Sequence, residues 1–267
     1  MKKYIVSAIM FILMSSQTAL IGAQELNTQE RMKHRRAVEA IVWSMPLINF
    51  MAMRDGLKRD AGVGFNDVAY NSRVQNWKLQ IPTPNNTTPY IMTFWNLKDG
   101  PVVIDIPASG EGVALFGTLM DAWQRPLADV GGQGRDRGRG ARYLLLPPGY
   151  QGDFPRGFIP LMQTTYNGYA LMRPVIANTS DENLARAKSF VKKIKVYPLS
   201  KVKNSPKTRF VDIYDKEIDA VAHFDLSYFK MLHQILQEED IDQKDMVMMA
   251  MLKALGIEKG KPFNPTG

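Results

Sequence analysis

Tyr90-Ile91-Met92-Thr93-Phe94-Trp95-Asn96-Leu97, then Lys98-Asp99-Gly100-Pro101, then Val102-Val103-Ile104-Asp105-Ile106: this stretch decides the fold. Two runs rich in aromatic and β-branched residues flank a segment of turn formers. Upstream, prolines 82, 84 and 89 forbid a long helix. Downstream the texture repeats in Ala114–Ala122, Arg142–Leu146, Ile159–Thr165 and Ala170–Ile176, with turn chemistry at Ala108-Ser109-Gly110, Pro147-Pro148-Gly149 and Tyr166-Asn167-Gly168. Asn167-Gly168 between two strand-like runs reads as a two-residue hairpin. Six short strands at this spacing predict an antiparallel sandwich or barrel.

Helical patterns lie on both sides. Residues 28 to 60 carry Ala37, Ala40, Ile41, Trp43, Leu47, Phe50, Met51 and Leu57 at helical spacing. Thr28 is the expected cap, without a capping box because Arg31 follows three residues on, and Pro46 should kink or restart the helix. Asn66 is expected to cap a shorter helix to about Val74. After the β region, Ser180 and Asp181 cap a helix to about Lys193, Val196–Pro198 adds a strand, and residues 200 to 210 read as a basic linker. Helical periodicity returns from Asp215 to Gln237 and from Gln243 to Leu255, with Gly256 as its stop. The tail from Gly260 to Pro265 reads as extended and unpacked. The predicted class is therefore α+β: N-terminal helices over 24–80, an antiparallel β-sandwich-like domain over 81–200, and a C-terminal helical region over 201–267.

Met1-Lys2-Lys3 followed by the apolar run Tyr4–Met14 matches the charged and hydrophobic regions of a signal peptide, with cleavage after Ala23. The run is shorter than the roughly 20 residues of a spanning helix, and no later run is long and apolar enough to span. The expectation is a periplasmic or secreted protein with residues 1–23 removed; losing Lys2 and Lys3 takes the formal charge from +8 to +6. That balance suits an anionic surface, substrate or polymer. Nucleic acid is not expected, because the basic residues are spread over the chain. The absence of cysteine excludes disulfides, thiol catalysis, cysteine-ligated metal and a lipoprotein anchor.

Three motifs bear on function. Thr83-Pro84-Asn85-Asn86-Thr87-Thr88-Pro89-Tyr90 gathers amides, hydroxyls and a phenol that can line a polar pocket; a self-satisfied hydrogen-bonded turn is the other reading. Asp121, Trp123 and Arg125 would share one face of a strand, as ligand contacts or as an ion pair beside a packed tryptophan. Residues 131–142, with five glycines before Ala141 and Arg135, Arg137 and Arg139 among them, read as a flexible basic loop, and no Gly-Lys-Ser/Thr follows to make a P-loop. His34, His223 and His233 lie in helical segments at spacings that do not suit a metal pair. No metal and no cofactor are expected. The candidate ligand-binding residues are Asn85, Asn86, Thr88, Tyr90, Asp121, Trp123 and Arg125; no catalytic residue is assigned.

Taken together, several pieces resemble the exported bacterial family with paired DUF1254 and DUF1214 domains. They are Ala40–Leu47, Asn85–Tyr90, Gly100–Pro107, Asp121-Ala122-Trp123, Tyr143–Tyr150 and Leu255–Phe263. The resemblance covers about residues 33 to 200 and the helical link to Pro265. It implies a β-sandwich-like DUF1254 domain with flanking helices and no established activity. Thr87 stands where the family usually carries an aspartate, and a second, jelly-roll-like DUF1214 domain would begin where this chain ends. The expected function is binding of a small or polymeric polar ligand in the cell envelope. The alternatives are an envelope hydrolase or lyase using Asp121, Arg125 and the Asn85–Tyr90 loop, and a subunit that partners a separate DUF1214 chain or a second copy of itself.

Overall fold

Asn27 caps the first helix, in place of Thr28. Its side chain accepts from the Glu30 amide at 2.9 Å while the Glu30 carboxylate accepts from the Asn27 amide at 2.9 Å, a complete capping box. The computed structural model describes residues 27–265; the signal peptide expected at 1–23 lies outside them. The helix, α1, runs from Thr28 to Ala61 without a break at Pro46. Proline costs about 3 kcal/mol inside a helix. Leu47, Ile48, Phe50 and Met51, just beyond it, are fully buried, and burying four such side chains contributes roughly 6–12 kcal/mol. Packing therefore outweighs the expected break. The carbonyl that loses its partner belongs to Val42, which is exposed to water.

The segment after α1 is a strand, not the short helix expected from Asn66. Asn66 takes a left-handed conformation (φ 65°) and its amide bonds the Phe94 carbonyl at 2.8 Å. That turns the chain into β1 (Val68–Tyr70), all three residues of which are buried. Then follow β2 (Leu79–Gln80), β3 (Ile91–Asn96), β4 (Val102–Ile106), β5 (Ala114–Asp121), β6 (Pro126–Gly131), β7 (Ala141–Leu146), β8 (Ile159–Met162) and β9 (Asn167–Val175). Helix α2 (Asp181–Val191), capped by Ser180, leads to β10 (Lys195–Pro198), a 3-10 turn, β11 (Phe210–Asp212) and β12 (Ile218–Asp219). Helices α3 (Leu226–Glu238) and α4 (Met246–Leu252) close the order.

The strands form a six-stranded sheet in the order β11-β1-β3-β9-β5-β6, a four-stranded sheet β10-β4-β7-β8, and the pair β12-β2. Most pairs are antiparallel; β1–β11, β7–β8 and β2–β12 are parallel. Strand alternation sorts the side chains. Ile91, Trp95 and Leu119 of the large sheet meet Ile104, Tyr143 and Val196 of the small one across a shared core. Met92, Phe94 and Tyr169 point to the other face and pack under α1 and α3. The α+β class holds, in three layers: helices, large sheet, small sheet. Strands from residues 68–70 and 210–212 complete the large sheet, so the segments flanking the sandwich are built into it.

Other local expectations changed for identifiable reasons. Asn167-Gly168 opens β9 instead of forming a hairpin, because β8 and β9 belong to different sheets. Gly168 is required there: a Cβ would lie 2.6 Å from the Trp95 indole nitrogen. Residues 215–225 are not helical. Gly56 of α1 lets the Asp219 carbonyl approach to where a Cβ would be 2.4 Å away, so β12 lies against the helix, and α3 starts only after its cap Asp225. The glycine- and arginine-rich loop is compact, held by Asp136, whose buried carboxylate accepts from the Gly131 amide at 2.7 Å and the Tyr143 hydroxyl at 3.1 Å. The tail also packs: Phe263 lies 5.7 Å from the His233 ring and the Asn264 amide bonds the Gly256 carbonyl.

A buried polar network ties the layers. Arg54 of α1 bonds Glu238 of α3 at 2.7 Å and the Asn167 side chain at 3.1 Å. Glu239 accepts the Tyr166 amide at 2.6 Å, the Asn167 amide at 2.8 Å and the Asn167 side chain at 2.7 Å. Burial pushes the Glu239 carboxyl above the usual range, against these donors and with the help of Glu238's charge. Burial acts the same way on Glu238, but Arg54 overrides it and holds that carboxyl below the usual range. Glu239→Gln sets an NH2 group against N–H donors. It should cost about 1–3 kcal/mol, read as a lower urea midpoint; an unchanged midpoint contradicts the assignment.

Candidate functional site

Helix α1 lies across the large sheet and leaves a cavity on each flank. One, of about 270 Å³, is bounded by Arg54, Lys58, Phe65, Phe94 and Glu238. The other, of about 200 Å³, lies between α1, the 75–83 segment and β9, with Gln75, Tyr90, Gln124 and Arg173 on its wall. The second contains the more unusual chemistry.

Strand parity explains its make-up. Tyr90 and Met92 from β3 and its entry, and Tyr169, Leu171 and Arg173 from β9, fall on the face that meets α1. Leu171 and Met92 supply an apolar floor. Gln124, at φ 60°, reaches back from the β5–β6 turn; its amide nitrogen bonds the Pro46 carbonyl at 2.7 Å and its oxygen accepts from the Tyr169 hydroxyl at 3.0 Å. Burial, with the charge of Asp121 adding to it, holds the Tyr169 phenol well above its ordinary range, so it stays a donor. Gln124 is thus fully engaged and shapes the wall.

Gln75 and Arg173 are not engaged. Gln75 is buried at 6 % exposure, and among the described residues neither its side-chain oxygen nor its nitrogen has a hydrogen-bond partner. The Arg173 guanidinium lies over the Tyr90 ring, 4.7 Å from its centre, and among the described residues makes no ion pair or side-chain hydrogen bond. No aspartate or glutamate lines this cavity. A further groove of about 340 Å³, lined by Thr87, Thr88 and Phe116, shares Arg173 and also has no acidic wall.

The residues singled out from the sequence fall into two groups. Tyr90 lines the cavity and Thr88 the adjoining groove. Asn85 makes an Asx turn, accepting from the Thr87 amide and hydroxyl, each at 2.7 Å, and Asn86 is exposed. Asp121, Trp123 and Arg125 cluster elsewhere. Asp121 is buried; it accepts the Arg125 amide at 3.0 Å and the Arg125 Nε at 2.7 Å, closing the β5–β6 turn. Trp123 stands edge-on to Trp43 of α1 at 4.9 Å. Asp121 pairs with Gly168 of β9, whereas Ile91, next to Tyr90, pairs with Met172. The two groups are therefore some four to five residues apart along β9, about 15 Å, and do not meet at one substrate atom. Gln75 and Arg173 were missed. The available signal was a lone charge, Arg173, inside an apolar strand run.

Among the described residues no set of three metal-ligating side chains is assembled, and no helix is long and apolar enough to cross a membrane. The family model described as a protein of unknown function, DUF1254, matches residues 65–198, a span that includes Gln75, Tyr90, Gln124 and Arg173. No curated protein matches the chain. Among solved structures, the VPA0106 protein from Vibrio parahaemolyticus is similar at 16% identity and a TM-score of 0.60, over 87% of this chain and 54% of that one. The chain thus spans about half the length of that relative, and the likeness is one of fold. An uncharacterized protein from Burkholderia cenocepacia aligns at 11% identity and a TM-score of 0.27, over 65% of this chain and 58% of that one.

An unpaired buried amide is costly, and an apolar group of similar shape is not. Gln75→Leu should therefore raise the stability of the ligand-free protein by about 1–3 kcal/mol, measured by urea unfolding. Destabilisation would show that Gln75 has a structural partner.

Proposed function

We propose, for a chain that belongs to the DUF1254 family, that it binds a small polar ligand in the cavity walled by Gln75, Tyr90 and Arg173. Gln75 carries this reading. A buried amide with both ends unpaired persists at a cost to stability, and a ligand that bonds both ends would offset that cost. The volume, about 200 Å³, is below the roughly 300–1,000 Å³ of sites for drug-sized molecules, so a metabolite suits it better than a large ligand. The apolar floor and few polar groups are the usual make-up of such a site.

Action in the cell envelope is supported by the signal-like start, Lys2-Lys3 before Tyr4–Met14. A DUF1214 unit as partner is supported by the resemblance over Leu255–Phe263. Neither is needed for the cavity to bind.

The test is thermal unfolding of the chain against a panel of small neutral and charged metabolites, with Gln75→Leu in parallel. A ligand at a hundred times its Kd adds about 2.7 kcal/mol, which raises Tm by roughly 5–10 °C for a protein of this size. The rise should appear in the wild type and be lost in Gln75→Leu. Equal rises in both proteins, or none with any compound, would reject the cavity as the site.

A further inference from the structure

We infer that the ligand carries a single carboxylate and that Arg173 is the residue that selects it; this rests on the cavity being the binding site. Three observations converge. Arg173 is the one charged side chain on the cavity wall, and among the described residues it has no anionic partner. Its only side-chain contact of note is the Tyr90 ring, 4.7 Å from the guanidinium carbon. That contact fixes the guanidinium without using its N–H donors. Gln75, in the same wall, holds a buried acceptor and donor with no partner among the described residues.

The charge balance gives the class of ligand. A cationic ligand would face a cation with no carboxylate to compensate it, since neither the cavity nor the groove beyond Arg173 has an acidic wall. A phosphate dianion would find one cation for its two charges. A carboxylate matches the single guanidinium in charge and in its planar, two-point geometry. The Gln75 amide then reads a neutral hydrogen-bonding group elsewhere on the molecule, and Met92 and Leu171 take its apolar part. A small hydroxy-, oxo- or amido-carboxylate has this pattern.

Calorimetric titration of the full chain with paired probes tests the inference: lactate against lactamide, benzoate against benzamide, and inorganic phosphate as the second anion. Each carboxylate should bind about ten to a hundred times more tightly than its amide, and phosphate should bind no better than the amides. Arg173→Met keeps an apolar stem on Tyr90 and should bring the carboxylates down to the level of the amides. If Arg173→Met does not fold, Arg173→Lys serves; it keeps the charge but offers one point of contact, and the preference should fall about tenfold. Equal binding of acid and amide, tighter binding of phosphate, or a preference that survives both substitutions overturns the inference. In the first of these cases, loss of binding in Gln75→Leu would leave the cavity itself standing. Silence from every probe would reject the cavity and this inference together.

Discussion

Arg54 is the constraint on which the arrangement of layers depends. It is buried at 6 % exposure, in the C-terminal third of α1, and a buried guanidinium is tolerated only if its charge and donors are met. Glu238 from α3, Asp55 beside it and Asn167 from β9 meet them. Glu238 and Asn167 belong to a neighbouring helix and a central strand, so satisfying one cation fixes α1 against both. Asn167 passes the constraint on: its backbone and side-chain donors reach Glu239, which also takes the Tyr166 amide. A purely apolar contact between α1 and the sheet would allow sliding by a turn. A hydrogen-bonded charge does not, because every shifted register strands it.

The cavities follow from that fixed placement. A cylinder on a twisted sheet cannot touch it everywhere. Where α1 is pinned at Arg54 and packed through Leu47, Phe50 and Met51, its flanks stand off. On one flank, the network's own polar groups border the gap. On the other, the 75–90 segment closes over it, and among the described residues the Gln75 amide and the Arg173 guanidinium have no side-chain hydrogen-bond partner. Gln124 shows how the fold could have silenced them: it sits in the same wall and has both ends occupied, by Pro46 and Tyr169. The contrast within one wall makes the unpaired groups informative.

The sequence displayed the parts of this protein that are local and hid those that are relational. Runs such as Val102–Ile106 and Tyr90–Leu97 announce strands because their composition suits a half-buried pleated surface. Ser180 announces a cap because the capping bond is made three residues away. Pro46 misled because helix continuity there is decided by burial of the residues after it, a tertiary effect. Asn66 misled because its αL conformation is fixed by the Phe94 carbonyl, twenty-eight residues on in the chain. Asn167-Gly168 has the composition of a hairpin turn, yet the sheet assignments of β8 and β9 decide otherwise. The candidate site was half legible. Tyr90 stood out for its polar neighbours, but Gln75 and Arg173 matter for the partners they lack, and a missing partner leaves no trace in composition or spacing.

Gln75 is one of several buried polar side chains without partners; Asn66, Asn71, Thr93, Asp136 and Gln163 each have at least one such atom. Two of these are half satisfied. Asp136 uses its other oxygen twice, and Gln163 accepts from the Trp95 indole while only its nitrogen is idle. Gln75 differs in having both atoms idle and in bordering a cavity. A half-satisfied group is a modest cost that packing can absorb. A wholly unsatisfied amide in a cavity wall is a cost without any structural return, and on the proposed reading a bound molecule supplies the return that the fold does not.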